Sequence, residues 1–235
     1  MKNIAGLQGS NSQRGLTLVE LMVAIVIGMI VIAATLSFFS RHLRESRAVQ
    51  VELRLTQDLR SAADLIGRDL RRAGHWGNAA AGVWQRDAQA VTANPYAFVT
   101  IASNEVAFNF SRDEVTKNAD NNTVDTNEQF GFRLRAGSVE FLLGSGNWQA
   151  LSDANTVNIT AFSVTPTVQH VSLEGMCATA CSAADSAIAT CPPQQHIRSL
   201  DIALAGHAVT DAKVMRSVQN QVRLRNDAIT GKCST

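Results

Sequence analysis

The chain has 235 residues, 46% of them apolar and 17% charged, with a formal net charge of +1. That composition is too apolar for a disordered chain, and the near-neutral balance gives no ground for expecting nucleic acid or an acidic ligand as partner. The length allows one domain with an appendage.

Residues 1–15 are polar, with Lys2 and Arg14 and no acid. Residues 21–39 then run for 19 residues without a charge. At about 1.5 Å per residue this nearly crosses a bilayer core of about 30 Å, and a helix begun at Leu16 completes the span. A cleaved secretory signal has an apolar core of about 7–15 residues and a small-x-small cleavage site. The run here is longer, and Arg41, Arg44 and Arg47 follow it. Basic residues flank the run on both sides, so charge does not set its orientation.

Glu20 sets this segment apart from an ordinary anchor. A charge inside a bilayer costs a few kcal/mol, so such residues take a partner. Cleavage after Gly15 would free an amine on Leu16, the natural counter-charge, in the same chain or in a neighbouring subunit.

Over residues 41–73 the only glycine is Gly67 and there is no proline. Leu55, Leu59, Ala62, Ile66, Leu70 and Ala73 fall on one face of a helix. Arg54, Asp58, Asp64, Arg68 and Arg72 occupy the rest, with Asp64 and Arg68 a favourable i,i+4 pair. Gly74 is the expected C-cap. A continuous helix over residues 17–73 would be about 85 Å long.

Two stretches resemble a known family. Arg14-Gly15-Leu16-Thr17-Leu18-Val19-Glu20-Leu21-Met22 resembles the type IV prepilin processing site, with Leu16 where phenylalanine is usual. The resemblance implies that a prepilin peptidase cuts after Gly15 and N-methylates Leu16, leaving Glu20 as the fifth mature residue. Loss of the leader would leave 19 basic against 20 acidic residues. Ile66-Gly67-Arg68-Asp69-Leu70-Arg71-Arg72-Ala73-Gly74-His75-Trp76-Gly77 is similar to the RDLRxAGYxG signature of the PilW family of minor pilins. Many relatives carry a cysteine shortly after this glycine; Asn78 stands there instead.

Residues 74–95 read as a loop. The period then changes to two: Val106, Phe108, Phe110; Phe130, Phe132, Leu134; Val139, Phe141, Leu143; Val157, Ile159; Leu200, Ile202, Leu204; Val222, Leu224. Ala136-Gly137 suits a tight hairpin. The expected fold is α+β, type IV pilin-like: a leader (1–15), a membrane and filament-core helix (16–40), and a head (41–235) in which the amphipathic helix 41–73 covers an antiparallel sheet. Gly146-Asn147-Trp148-Gln149-Ala150-Leu151 and Val222-Arg223-Leu224-Arg225-Asn226 also resemble PilW and the J-type pseudopilin of type II secretion systems.

Residues 120–128 concentrate oxygen donors, and Asp120, Asn122, Asp125 and Glu128 are calcium candidates. The spacing misses the EF-hand pattern, since Asp125 takes the place of its glycine. A solvated connecting loop is the plainer expectation. Cys177, Cys181, Cys191 and Cys233 suggest two disulfides in an oxidising compartment, with three pairings open. With His196 the first three also have a zinc-like spacing, which an oxidising compartment disfavours. Disulfides would pin the 175–195 insertion and the C-terminal tail to the head.

No catalytic set is visible. His42, His75, His170, His196 and His207 are scattered, and Gly144-Ser145-Gly146 reads as a turn. Arg71 and Arg72 beside Trp76 read as a solvated helix end rather than a DNA contact. No enzyme activity and no cofactor are expected. The resemblance implies a minor pilin that primes type IV pilus assembly or sits at the filament tip. Its partners would be prepilin peptidase, other minor pilins, the major pilin and the inner membrane. The alternatives are a J-type pseudopilin, or a tip-borne adhesin or DNA receptor using residues 165–197 as its surface.

Overall fold

The computed structural model describes residues 15, 17–83, 92–112, 120–144, 146–182 and 191–234. The chain divides into two compact units, Met1–Val49 and Gln50–Thr235. Among the described residues the one α-helix, α1 (Leu18–Leu70), contributes to both. Among the described residues this is the one helix apolar and long enough to cross a membrane.

Within the first unit the apolar side chains from Leu18 to Phe39 are exposed in the isolated chain. The few polar side chains there turn inward on the backbone. Thr35 donates to the carbonyls of Val31 and Ile32, Ser37 to Ala33 and Ser40 to Leu36. Each hydroxyl is thereby satisfied without water, the condition for a helix placed in hydrocarbon.

Within the second unit the predicted stripe is the buried one: Leu55, Leu59, Ala62, Ile66, Leu70 and Ala73 join the core, with Ala63 beside them. Gly67 lets the helix approach its sheet closely. A Cβ there would lie 2.9 Å from Asn220 Nδ2 and 3.1 Å from Val222 Cγ2. The α-helix ends at Leu70, three residues before the expected end, because the last turn tightens. Arg72 N donates to Asp69 O, and Ala73 N to Leu70 O. Gly74 then adopts φ +75°, as the C-cap expectation required.

The head holds two antiparallel sheets where the sequence suggested one. The first is a meander of five strands, β1 (Val99–Ala102), β2 (Glu105–Asn109), β3 (Gln129–Arg135), β4 (Ser138–Leu143) and β5 (Trp148–Ala150). Ala136 and Gly137, at φ 50° and 77°, make the two-residue turn between β3 and β4. Val106, Phe108, Phe130, Phe132 and Val139 are buried. On Arg133 the guanidinium stacks 3.9 Å from the Trp148 ring and pairs with Glu140 at 2.7 Å.

The second sheet contains β6 (Val157–Ser172), β7 (Gln194–Ala208), β8 (Asp211–Arg223) and β9 (Ala228–Thr230). β7 is central: β6 pairs along one side, and β8 and then β9 along the other. A bulge at Thr160 shifts the β6 register between Ile159 and Ala161. It brings Val157 and Ile159 before it, and Phe162 and Val164 after it, onto the same buried side. The supposed insertion at 165–197 is therefore strand at both ends, where β6 and β7 continue as a paired arm. The overall order, long helix then antiparallel sheets, is the α+β pilin-like architecture.

Candidate functional site

At the start of α1 the backbone is exposed and the local geometry is simple. Thr17 caps the helix: its Oγ1 accepts from Glu20 N at 3.3 Å, and its carbonyl accepts from Leu21 N. Glu20 stands in the first turn, where the helix dipole favours an acid. It is exposed, and it is the only charged residue from Leu18 to Ser40. Gly15 meets nothing within 4 Å of where a Cβ would lie, so packing in this chain does not demand glycine there. Leu16, most of the leader and Ser145 lie outside the described residues.

The loop with the calcium candidates folds around Tyr96 instead. Its hydroxyl lies 3.2 Å from Asp120 Oδ1, 3.1 Å from Glu128 Oε2 and 3.1 Å from the Thr123 carbonyl. The phenol has one proton to share among these three acceptors. Burial, then the Glu128 and Asp120 carboxylates, push the Tyr96 hydroxyl well above its ordinary value. Glu128 is wholly buried; Oε1 accepts from Arg112 N at 2.7 Å and Oε2 from Asp125 N at 3.0 Å. Asp120 accepts from Gly77 N and Asn122 N, while Trp76 Nε1 donates to Asn122 Oδ1. Asp120, Asn122 and Glu128 thus hold internal donors, and Asp125 caps a short 3-10 turn over Thr126–Glu128. No group of three or more His, Cys, Asp or Glu is arranged for a metal among the described residues.

Burial pushes the Asp120 carboxyl up, but the hydrogen bonds from Asn122 N, Gly77 N and Tyr96 outweigh it and leave the group below its ordinary 3.8. A carboxyl lowered by folding stabilises the fold fully above that ordinary value, and the contribution disappears as pH falls through the folded value. Urea midpoints of wild type and Asp120→Asn should therefore differ most at neutral pH and converge as pH falls from about 3.8 through the lower, folded value. A constant gap at all pH values would refute this.

The cysteines form Cys177–Cys233 and Cys181–Cys191. All four sulfurs are consumed, so the zinc-like spacing is not realised. Trp76 is 3% exposed and turned into the loop network, which withdraws it from any surface shared with Arg71. Arg72 lies over the Phe110 ring at 4.1 Å.

A family model for prepilin peptidase-dependent protein B matches residues 48–224, about three quarters of the chain. The chain belongs to the prepilin peptidase-dependent protein B family. The prokaryotic N-terminal methylation motif also matches, over residues 10–36. No curated protein and no solved structure matches the chain. The two matches make this member of the prepilin peptidase-dependent protein B family a pilin-like protein; they do not single out the PilW branch. The methylation match takes in Gly15, Leu16 and Glu20, and the family match takes in the helix stripe and β1–β8. It stops short of β9 and Cys233, so the staple that fastens the tail lies outside the matched segment.

Sequence reasoning missed Tyr96 and Arg198. Arg198 donates at 2.8 Å from one end of its guanidinium to Ala97 O and from the other to Asn226 O, joining the approach to β1 with the bend between β8 and β9. Burial lowers its pKa, against the pull of Asp227. Neither residue sits in a motif. Tyr96 is the chain's only tyrosine, which was a usable signal, since a lone buried phenol needs polar partners.

Proposed function

We propose that the chain is a minor pilin of a type IV pilus, of the PilW type, and acts by assembling rather than by catalysis. The observation that carries this reading is the single charge, Glu20, in the otherwise apolar, exposed first part of α1, from Leu18 to Phe39, most of which the methylation motif matches. In this reading residues 1–15 are a leader removed by prepilin peptidase, and Leu16 is methylated. Residues 16–40 store the subunit in the inner membrane and then pack in the filament core. Residues 41–235 form the head, periplasmic before assembly.

Glu20 pairs with the N-terminal amine of a neighbouring subunit. A carboxylate and an ammonium in a low-dielectric bundle each need the other, so the pair fixes axial register. The subunit works with other minor pilins to prime the filament and stays near its tip. Glu20→Ala should leave a processed, membrane-inserted protein whose recovery in sheared pili falls at least about tenfold, given the few kcal/mol at stake. Normal recovery would contradict the pairing.

The priming role is tested by electron microscopy of a deletion strain. Few or no pili, restored by the gene, support it. Normal pili with impaired secretion would instead mean a J-type pseudopilin, and normal pili with lost attachment a tip adhesin.

A further inference from the structure

The arm formed by β6 and β7 places two histidines in direct opposition. His170 on β6 faces His196 on β7. Leu173 N donates to Pro193 O, three positions further along the same register. Pairs alternate along an antiparallel ladder, so Leu173/Pro193 being hydrogen-bonded makes His170/His196 a non-hydrogen-bonded pair. That is the kind whose Cα atoms approach to about 4.5 Å and whose side chains stand closest. Pro166 opposite Leu200 fits the same alternation, because a residue without an N–H is accommodated only where that group points out of the ladder.

The rings touch edge to face, with centroids 4.6 Å apart and planes at 84°. His170 is exposed and His196 half-buried. Thr230 on β9 holds the His196 ring, with its Oγ1 2.7 Å from Nε2. Arg198, two residues from His196 along β7, has its guanidinium engaged by the Ala97 and Asn226 carbonyls.

We infer that His170 and His196 form a two-imidazole chelate for a borderline divalent transition-metal ion, copper(II) above all and zinc(II) after it. Neutral imidazole suits these metals, and affinity among the divalent first-row ions peaks at copper. Metal–nitrogen bonds of about 2.0–2.1 Å require ligand nitrogens roughly 3 Å apart. Rings already in contact across a non-hydrogen-bonded pair reach that separation by side-chain rotation alone, with the backbone fixed. His196 would exchange its Thr230 contact for the metal or coordinate through Nδ1, and water would fill the remaining positions. The ion would clamp β6 to β7 in the part of the arm flanked by β9 and the two disulfides.

The test uses the full chain, purified without an affinity tag in detergent micelles and titrated with copper(II) at about pH 7.5. Calorimetry should give one tight equivalent, and electron paramagnetic resonance should show imidazole nitrogen coupling. His170→Gln should weaken binding at least about tenfold, as should His196→Gln, whereas His207→Gln should not. Copper should raise the melting temperature of wild type and leave that of His170→Gln unchanged. Near-UV circular dichroism of metal-free His170→Gln, an exposed position, checks that the fold is intact. Equal affinity in all three variants, or no stoichiometric binding, overturns the inference.

Discussion

Replacing Glu128 with alanine should lower the stability of the head by about 2–4 kcal/mol, from leaving two part-buried backbone donors without their acceptor at roughly 1–2 kcal/mol each and removing a partner of Tyr96. The Arg112 and Asp125 amides both donate to this carboxylate, and alanine offers them no oxygen in its place. Tyr96 suffers less, because its hydroxyl can still donate to Asp120 or to the Thr123 carbonyl. A domain has about 5–15 kcal/mol in total, so the loss would be plain in a urea or thermal melt of the purified chain. Glu128→Gln keeps one acceptor oxygen and should fall between wild type and alanine. A loss under about 1 kcal/mol for Glu128→Ala would mean that water or a rearranged loop satisfies both amides.

The Cys177–Cys233 disulfide is the second large term. It closes a sequence separation of 56 residues, against 10 for Cys181–Cys191. Loop-closure entropy assigns the longer bridge about 4 kcal/mol and the shorter about 3 kcal/mol. The double variant Cys177→Ser/Cys233→Ser should therefore melt at clearly lower temperature than wild type, and its tail should become protease-sensitive. β9 has three residues and pairs with β7 alone, which is too little to hold the tail by itself. Unchanged melting and an intact tail would show that Arg198 and the β9 pairing suffice. Reduction of the native chain should add the mass of four protons.

What the sequence revealed and what it concealed follow from contrast between apolar and polar positions. The helix stripe from Leu55 to Leu70 was legible because apolar and charged residues alternate with a helical period. The β3–β4 turn was legible because Ala136-Gly137 separates two runs of period two. The division into two sheets was not, since a bulge at Thr160 breaks the alternation that would have marked β6 as one strand. The outer half of β6 was hidden for another reason. Residues 165–170 are exposed on both faces, so no apolar face exists to give the strand away. The Tyr96–Glu128 contact joins residues 32 positions apart through polar atoms, which no local pattern encodes. At the N-terminus the reverse holds: the motif around Gly15 and Glu20 is plain in the sequence, while the apolar side chains beside it stand exposed in the isolated chain.

Gly74 is where the long helix hands over to the sheets, and three segments clasp it. Its amide donates to Asn109 O, and its carbonyl accepts from Asn94 Nδ2 and from Asn226 Nδ2. Asn109 ends β2, Asn94 precedes β1, and Asn226 lies in the bend after β8. Tension applied along α1 therefore enters the head at a junction rather than at the end of a single strand. A pull that reaches Gly74 is shared among these three hydrogen bonds, to segments attached to both sheets.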